Sequence, residues 1–461
     1  MHLVIGVLSI FPVLLAGDLL VQLFNTPKTK SIWVRGPLAY GFGWGLVLLI
    51  LLYTSWIFSQ YALSITVAFV FMLALTNLVL NRNKMRHTVG NIDLNFSWQR
   101  ITSILLLIFF SSLVCFASFK LDLGFDGIRV WGLKAKILFH EAYWSTENLS
   151  WVSHPSYPLL VPVMQAWVYS FIGKVDVNIG KLPIVFSYLA LISLFFGSVR
   201  YYLSTLLSLL FTFLLALTPQ LVTVSAISGY ADVTLAFYIL SGILFLFFWF
   251  ADRKVGNLFI GAMMLALTTT VKREGNIYWA LSFCFLVLFV IFISKHPLKK
   301  NIQSVGIYLL PAVFVVMPWF VYLKLNNISN ADFSPISLQG FITNTVQFPV
   351  IISSFLKQLF VYIPSWGILW WIFVFVTLTR WRSFRAFENV YLWGSAVLPI
   401  ILLGFAFIYS DWEPLINHLA VSTERIVLHA APLAWLFIAL QTSDLDLWLK
   451  NTLFPHANSN G

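Results

Sequence analysis

The chain has 461 residues, of which 60% are hydrophobic and 10% charged, with a mean hydropathy of +0.88. Soluble domains carry about 25% charged residues, so this composition excludes an ordinary globular fold and indicates an all-α, polytopic membrane protein. The formal net charge of +11 does not point to nucleic acid, because the Lys and Arg residues sit in short loops between apolar runs, where they set topology and meet anionic lipid.

A span needs roughly 20 apolar residues, and basic loops favour the cytoplasmic side. The first apolar run, residues 3–24, lacks a basic leader and a small-residue cleavage site and continues into a multi-span pattern. It reads as a retained span rather than a signal peptide. Lys28, Lys30 and Arg35 follow it, and Arg82, Lys84, Arg86 and Arg100 separate the third run from the fourth. This order places the N-terminus outside. The polar linker at 81–100 predicts a boundary between accessory helices at 1–99 and a working module at 100–445, with a cytoplasmic tail at 446–461. The fourth run, 101–119, then travels outward and delivers Asp122 and Asp126 to the outer face.

Next comes a polar, aromatic-rich stretch centred on Asp126, which Gly124 and Gly127 flank. The glycines would allow close approach of a substrate, and Asp126 is a candidate general base. The alternative is a carboxylate that caps a helix starting near Ile128. That short helix carries Arg129, Lys134 and Lys136 with Trp131, Leu133 and Leu138, a mix suited to the headgroup layer, where snorkelling is the plain explanation for the cations. In HPSYPLL two prolines fix a turn, and His154 and Tyr157 can hydrogen-bond a sugar or phosphate; Trp151 and Tyr157 also suit an interface. If residues 159–173 crossed the bilayer, Arg253 with Lys254, then Lys295, Lys299 and Lys300, then Arg380, Arg382 and Arg385 would all face outward. The segment is therefore expected to be re-entrant or interfacial, leaving about thirteen spans. Loops at 229–232, 272–275, 326–348 and 411–425 then join Asp126 on the outer face.

Asp232 opens an apolar run of about span length, either as an N-cap or as a carboxylate that orients substrate beside Asp126. Lys272, Arg273 and Glu274, followed by Gly275, interrupt two apolar runs, and charge so near a membrane core is expensive and commonly functional. An ion-paired loop is the plainer reading. Arg425, after Glu424, can grip phosphate bidentately or anchor a helix end. Cys115 and Cys284 lie in apolar runs and support neither a disulfide framework nor a metal site. No zinc-ligand spacing and no phosphate-cradling glycine loop is present, so no cofactor is predicted, although carboxylates on separate loops could meet around a divalent cation.

Taken in order, FDGIRVWGLKAKIL, HPSYPLLVP, GYADVTLAFY, VKREG and STERIVLHAAP resemble the bacterial membrane glycosyltransferases of the GT-C class. These are relatives of the protein O-mannosyltransferases and the lipid A aminoarabinose transferase. The resemblance spans residues 101–440. It implies a polyprenyl-phosphate-linked sugar as donor and a glycan, lipid or protein acceptor. It also implies a multi-pass protein of the inner (plasma) membrane that transfers with inversion on the periplasmic or extracellular face. By the same resemblance Asp126 is catalytic, Asp232 is a second outer acidic position, Lys272 and Glu274 match a Lys-x-Glu-Gly element, and Arg425 precedes the final helix. The family commonly has Asp before that arginine, whereas this chain has Glu424, which adds a methylene. Lys134, His154 and Tyr157 complete the expected substrate contacts. A transporter or flippase of a lipid-linked glycan is the alternative, but such proteins favour midplane sites and internal repeats, and no repeat is visible here.

Overall fold

The computed structural model describes residues 1–24, 26–88, 98–145, 152–329 and 332–444. The tail at 446–461, residues 89–97 of the boundary linker, Trp151, and the side chains of Lys84, Arg86 and Arg100 lie outside the described residues. Among the described residues all regular structure is helical apart from one isolated bridge between Phe333 and Ser410. In chain order the first helices are α1 (His2–Leu23), α2 (Ile32–Phe58), α3 (Ala62–Thr88) and α4 (Trp98–Lys120). A π-helical turn, Gly127–Gly132, runs into α5 (Leu133–Glu141), followed by α6 (Leu160–Ile172), α7 (Leu182–Val199) and α8 (Thr205–Ala216). A second π segment, Leu221–Ile227, precedes α9 (Asp232–Asp252), α10 (Val255–Val271), α11 (Gly275–Phe292) and α12 (Leu298–Leu325). The remainder are α13 (Leu338–Asn344), α14 (Phe348–Phe360), α15 (Ile363–Trp366), α16 (Leu369–Thr379), α17 (Phe387–Ala406) and α18 (Leu415–Gln441).

Eight described stretches are long and apolar enough to cross a membrane, and five shorter apolar helices accompany them, as befits a multi-pass membrane protein. One of the eight, Ile32–Arg82, holds two helices parted by a 3-10 turn at Ser59–Tyr61. Association of α1 with α2 rests on small residues. A Cβ on Gly17 would lie 1.9 Å from Ala39 O and one on Gly43 2.2 Å from Val13 O, so only glycine lets these backbones meet. α9 is apolar around its whole circumference and buried along its length, which makes it the central helix. The first helices share its core: Tyr238 donates to Gly41 O at 2.8 Å, and Trp167 of α6 donates to Ser9 O at 2.8 Å.

Two short helices bear on the sequence expectation. α6 has 13 residues, a length of about 20 Å against a hydrocarbon core of about 30 Å. It is enclosed by α1, α2 and α5 rather than laid on a lipid-facing surface. α5 packs beneath it, so Trp131, Lys134 and Leu138 are buried, Lys136 is half-buried and Arg129 alone of the three cations is exposed. Snorkelling of Lys134 to lipid is thus corrected. The helix's apolar residues have a protein partner, and that partner draws Lys134 inward with them.

Candidate functional site

Asp126 is positioned by two loops laid against each other. Gly124 N donates to Ser228 O at 2.9 Å, and a Cβ on Gly124 would come within 2.5 Å of the Tyr230 ring. The glycine therefore admits the chain's own 228–230 segment, not a substrate as its position first suggests. Buried Lys181 fastens the same junction, donating from Nζ to Ser118 O at 2.7 Å, to Ile227 O at 3.2 Å and to Leu121 O. Asp126 makes no side-chain cap bond to the helix that follows it. Its carboxylate instead accepts from Arg425 Nη1 at 2.6 Å.

That arginine bridges to a second carboxylate. Arg425 Nε donates to Asp232 Oδ2 at 3.0 Å, while Asp232 Oδ1 meets Lys272 Nζ at 2.9 Å and His429 Nε2 at 2.9 Å. Lys272 Nζ also reaches Glu274 Oε1 at 2.7 Å, and Tyr230 lies under the Arg425 guanidinium at 4.8 Å. A lone charge taken from water costs several kcal/mol, so a completely buried carboxylate such as Asp232 persists only among paired cations. Burial acts to raise the Glu274 carboxyl, but Lys272, with help from His429, outweighs it and holds the group below its ordinary range. The α10–α11 junction that presents these charges depends on Gly275, where a Cβ would sit 2.2 Å from Thr268 O.

Asp126, Asp232, Lys272, Glu274 and Arg425, predicted from four separate segments, thus form one continuous ionic chain. The two described π segments lie immediately beside Asp126 and just ahead of Asp232, and such segments recur at functional sites. His429 and Tyr230 are the members that sequence reasoning missed. His429 had one usable signal, its place four residues beyond Arg425 on the same helical face. Arg425 Nη2 is buried and without a hydrogen-bond partner, whereas Glu424 pairs with Gln220.

Lys134, His154 and Tyr157 form a neighbouring cluster. Lys134 Nζ donates to His154 O at 2.9 Å and Tyr157 O at 2.7 Å, so it fixes the loop from behind, and burial pushes its ammonium down to about 7. The loop it holds places His154 in the left-handed region at φ 53°. His154 stacks on Tyr157 at 4.8 Å, Tyr157 stacks on Trp131 at 5.5 Å, and His154 Nδ1 lies 3.3 Å from Asp332 Oδ2. Burial raises the Tyr157 phenol well above the usual range, with the charges of Glu274, Asp332 and Asp126 adding to the rise and Arg425 opposing it.

Among the described residues no group of three or more His, Cys, Asp or Glu side chains is arranged to hold a metal ion. Arg425 lies inside α18 and not ahead of the final helix as the sequence suggested, because that helix already starts at Leu415. Fold and site together define a polytopic, all-helical membrane protein with an ionic centre assembled from the start of α9, the α10–α11 junction, the turn at Asp126 and the interior of α18. Comparison of the chain with family models, with curated proteins and with solved structures finds no match.

Proposed function

We propose that this chain is an inverting membrane glycosyltransferase of the GT-C kind, with about thirteen spans, which moves a sugar from a polyprenyl-phosphate donor to an acceptor hydroxyl. The reaction takes place on the extracytoplasmic face of the plasma (inner) membrane. The observation that carries this reading is the Arg425 guanidinium, which links Asp126 to Asp232 and keeps its Nη2 amino group unengaged.

Asp126 and Asp232 differ in access, with side-chain exposures of 20% and 0%, so an acceptor reaches Asp126 and not Asp232. Asp126 takes the proton from the acceptor hydroxyl as that oxygen bonds to the anomeric carbon. The bond from that carbon to the phosphate oxygen breaks, and its electron pair leaves with the polyprenyl phosphate. Three carboxylates face two permanent cations in the centre, so an incoming phosphate needs donors beyond those already paired. Arg425 Nη2, covered in this structure, supplies one when the entering phosphate displaces what covers it, without releasing either aspartate, and Lys272 adds charge nearby. Asp232 and Glu274 hold those cations in place. Carboxylates and cations gathered in this way support transfer chemistry, and the resemblance supplies the substrate class.

The test compares wild type with Asp126→Asn, both purified in mild detergent. Transfer from a polyprenyl-phosphate-linked sugar is expected to fall by about 10²- to 10⁴-fold, the usual worth of a general base, while the variant retains the donor lipid through Arg425 and Lys272. Mass spectrometry of bound lipid reads the second outcome. Normal turnover by Asp126→Asn sinks the assignment. Movement of a lipid-linked glycan across vesicle membranes without sugar transfer would identify a transporter instead.

A further inference from the structure

The ionic centre leaves a second polar cluster unused. Asp332, 7% exposed, receives Trp412 Nε1 on Oδ1 at 3.2 Å and faces His154 Nδ1 through Oδ2 at 3.3 Å. The backbone repeats the link, with Asp411 N donating to Asp332 O at 3.1 Å and Phe333 bridged to Ser410. The Trp412 indole lies flat on His418, centroids 4.6 Å apart at 19°, yet Trp412 remains 38% exposed. His418 is itself fixed by Ser410, with 2.8 Å between Oγ and Nδ1. An aromatic ring clamped from one face and one edge and still open to its surroundings is a preorganised platform. An indole that merely anchors a helix at an interface needs no such clamp.

We propose that Trp412, Asp332 and His154 form a carbohydrate-binding subsite that takes a pyranose ring against the open face of the indole. A pyranose offers an apolar C–H face to the ring and a rim of hydroxyls to polar groups. His154 suits that rim, because Asp332 holds its Nδ1 and turns Nε2 away from the carboxylate; Ser334 and Asp411, bonded to each other, lie on the same two loops. The loop bearing His154 is built to stay in place, with Lys134 gripping its carbonyls and φ held at 53°. Anionic headgroups are disfavoured, since Asp332 accepts from the indole directly and the exposed Asp411 and Glu413 flank Trp412 in the chain. Tyr157, stacked on His154 at 4.8 Å and on Trp131 at 5.5 Å, braces the inner side of the platform.

The choice of ligand rests on the transferase reading, and the sugar can belong to the donor or to the acceptor. The test therefore needs no turnover. Wild type, Trp412→Ala and Trp412→Phe are placed in nanodiscs free of sugar detergents and checked by thermal unfolding. Each is probed by saturation-transfer NMR with methyl glycosides of glucose, galactose, mannose and N-acetylglucosamine. At least one glycoside is expected to show transfer to its ring C–H protons with wild type, with the signal reduced about tenfold in Trp412→Ala, a loss of the order found for a binding hot spot. Trp412→Phe keeps a smaller ring and loses the Asp332 bond, so it should fall between and carry the comparison if the alanine variant does not fold. Displacement of the glycoside by polyprenyl-phosphate-linked mannose assigns the platform to the donor sugar, and simultaneous binding assigns it to the acceptor.

No transfer to any glycoside with wild type, or an undiminished signal in Trp412→Ala, would each overturn the subsite. Such a result leaves the transferase reading standing wherever Asp126→Asn still abolishes sugar transfer. Conversely, full turnover by Asp126→Asn removes the assigned base without touching a measured sugar contact at Trp412.

Discussion

Asp232→Asn is the sharpest probe of the ionic centre, because it keeps the side chain's shape and removes one buried charge. The carboxylate accepts from Arg425 at 3.0 Å, from Lys272 at 2.9 Å and from His429 at 2.9 Å; an amide has one oxygen for these donors and turns its own NH2 toward the rest. Removing one partner of a buried ionic contact costs about 3–5 kcal/mol. Lys272 keeps Glu274 at 2.7 Å and Arg425 keeps Asp126 at 2.6 Å, so the lower end applies, about 3 kcal/mol. That is roughly a hundredfold in the folded-to-unfolded ratio. Thermal or denaturant unfolding in detergent measures it, and the double variant Asp232→Asn/Lys272→Met should lose less than the sum of its parts by about 1 kcal/mol or more, because it also removes an orphaned cation. If Asp232→Asn unfolds with wild-type stability and the pair is additive, the cations are not held by Asp232 and the reasoning fails.

Lys134→Met should destabilise the fold by about 1–3 kcal/mol per carbonyl left short of a donor, those of His154 and Tyr157. The ammonium ordinarily titrates near 10.5 and is pushed down to about 7 by burial, so between those values the unfolded chain binds the proton more readily. Wild-type stability relative to Lys134→Met should therefore be lowest below about pH 7 and rise toward about pH 10.5. Parallel unfolding of the two proteins across that range checks the sign, and a flat difference refutes it. Gly275→Ala would force a Cβ to within 2.2 Å of a backbone oxygen, at a cost of about 3 kcal/mol, and the displaced turn carries Lys272 and Glu274 with it. Lower unfolding stability together with lost transfer is the expected result, while wild-type behaviour in both would show that the turn has slack.

What was legible in the sequence follows from how strongly a membrane constrains charge. Helical architecture could be read from long apolar runs, and Asp126, Asp232, Lys272, Glu274 and Arg425 stood out because charge at span ends is rare enough to notice. Their meeting in one ionic chain is a long-range fact that span parity could only suggest. Lys134 was placed at the wrong surface because a short basic and aromatic helix has the same composition whether it borders lipid or lies under α6. Gly124 showed a need for close approach without showing what approaches. Asp332 and Trp412 gave no signal, since their pairing joins loops 80 residues apart and depends entirely on tertiary packing.

The spacing of the ionic partners along the chain bears on biogenesis. Asp232 precedes Lys272 by 40 residues and Arg425 by 193. At about 5–20 residues per second of synthesis, the central helix waits about 10–40 s for the arginine carried by the last described helix. Through that interval its carboxylate has at most the nearer lysine, so the nascent bundle keeps a polar mark of incompleteness until α18 arrives. Closing the ionic chain is then the step that converts an inserted set of helices into a finished fold, and chains cut short before residue 425 should be the ones that membrane quality control removes.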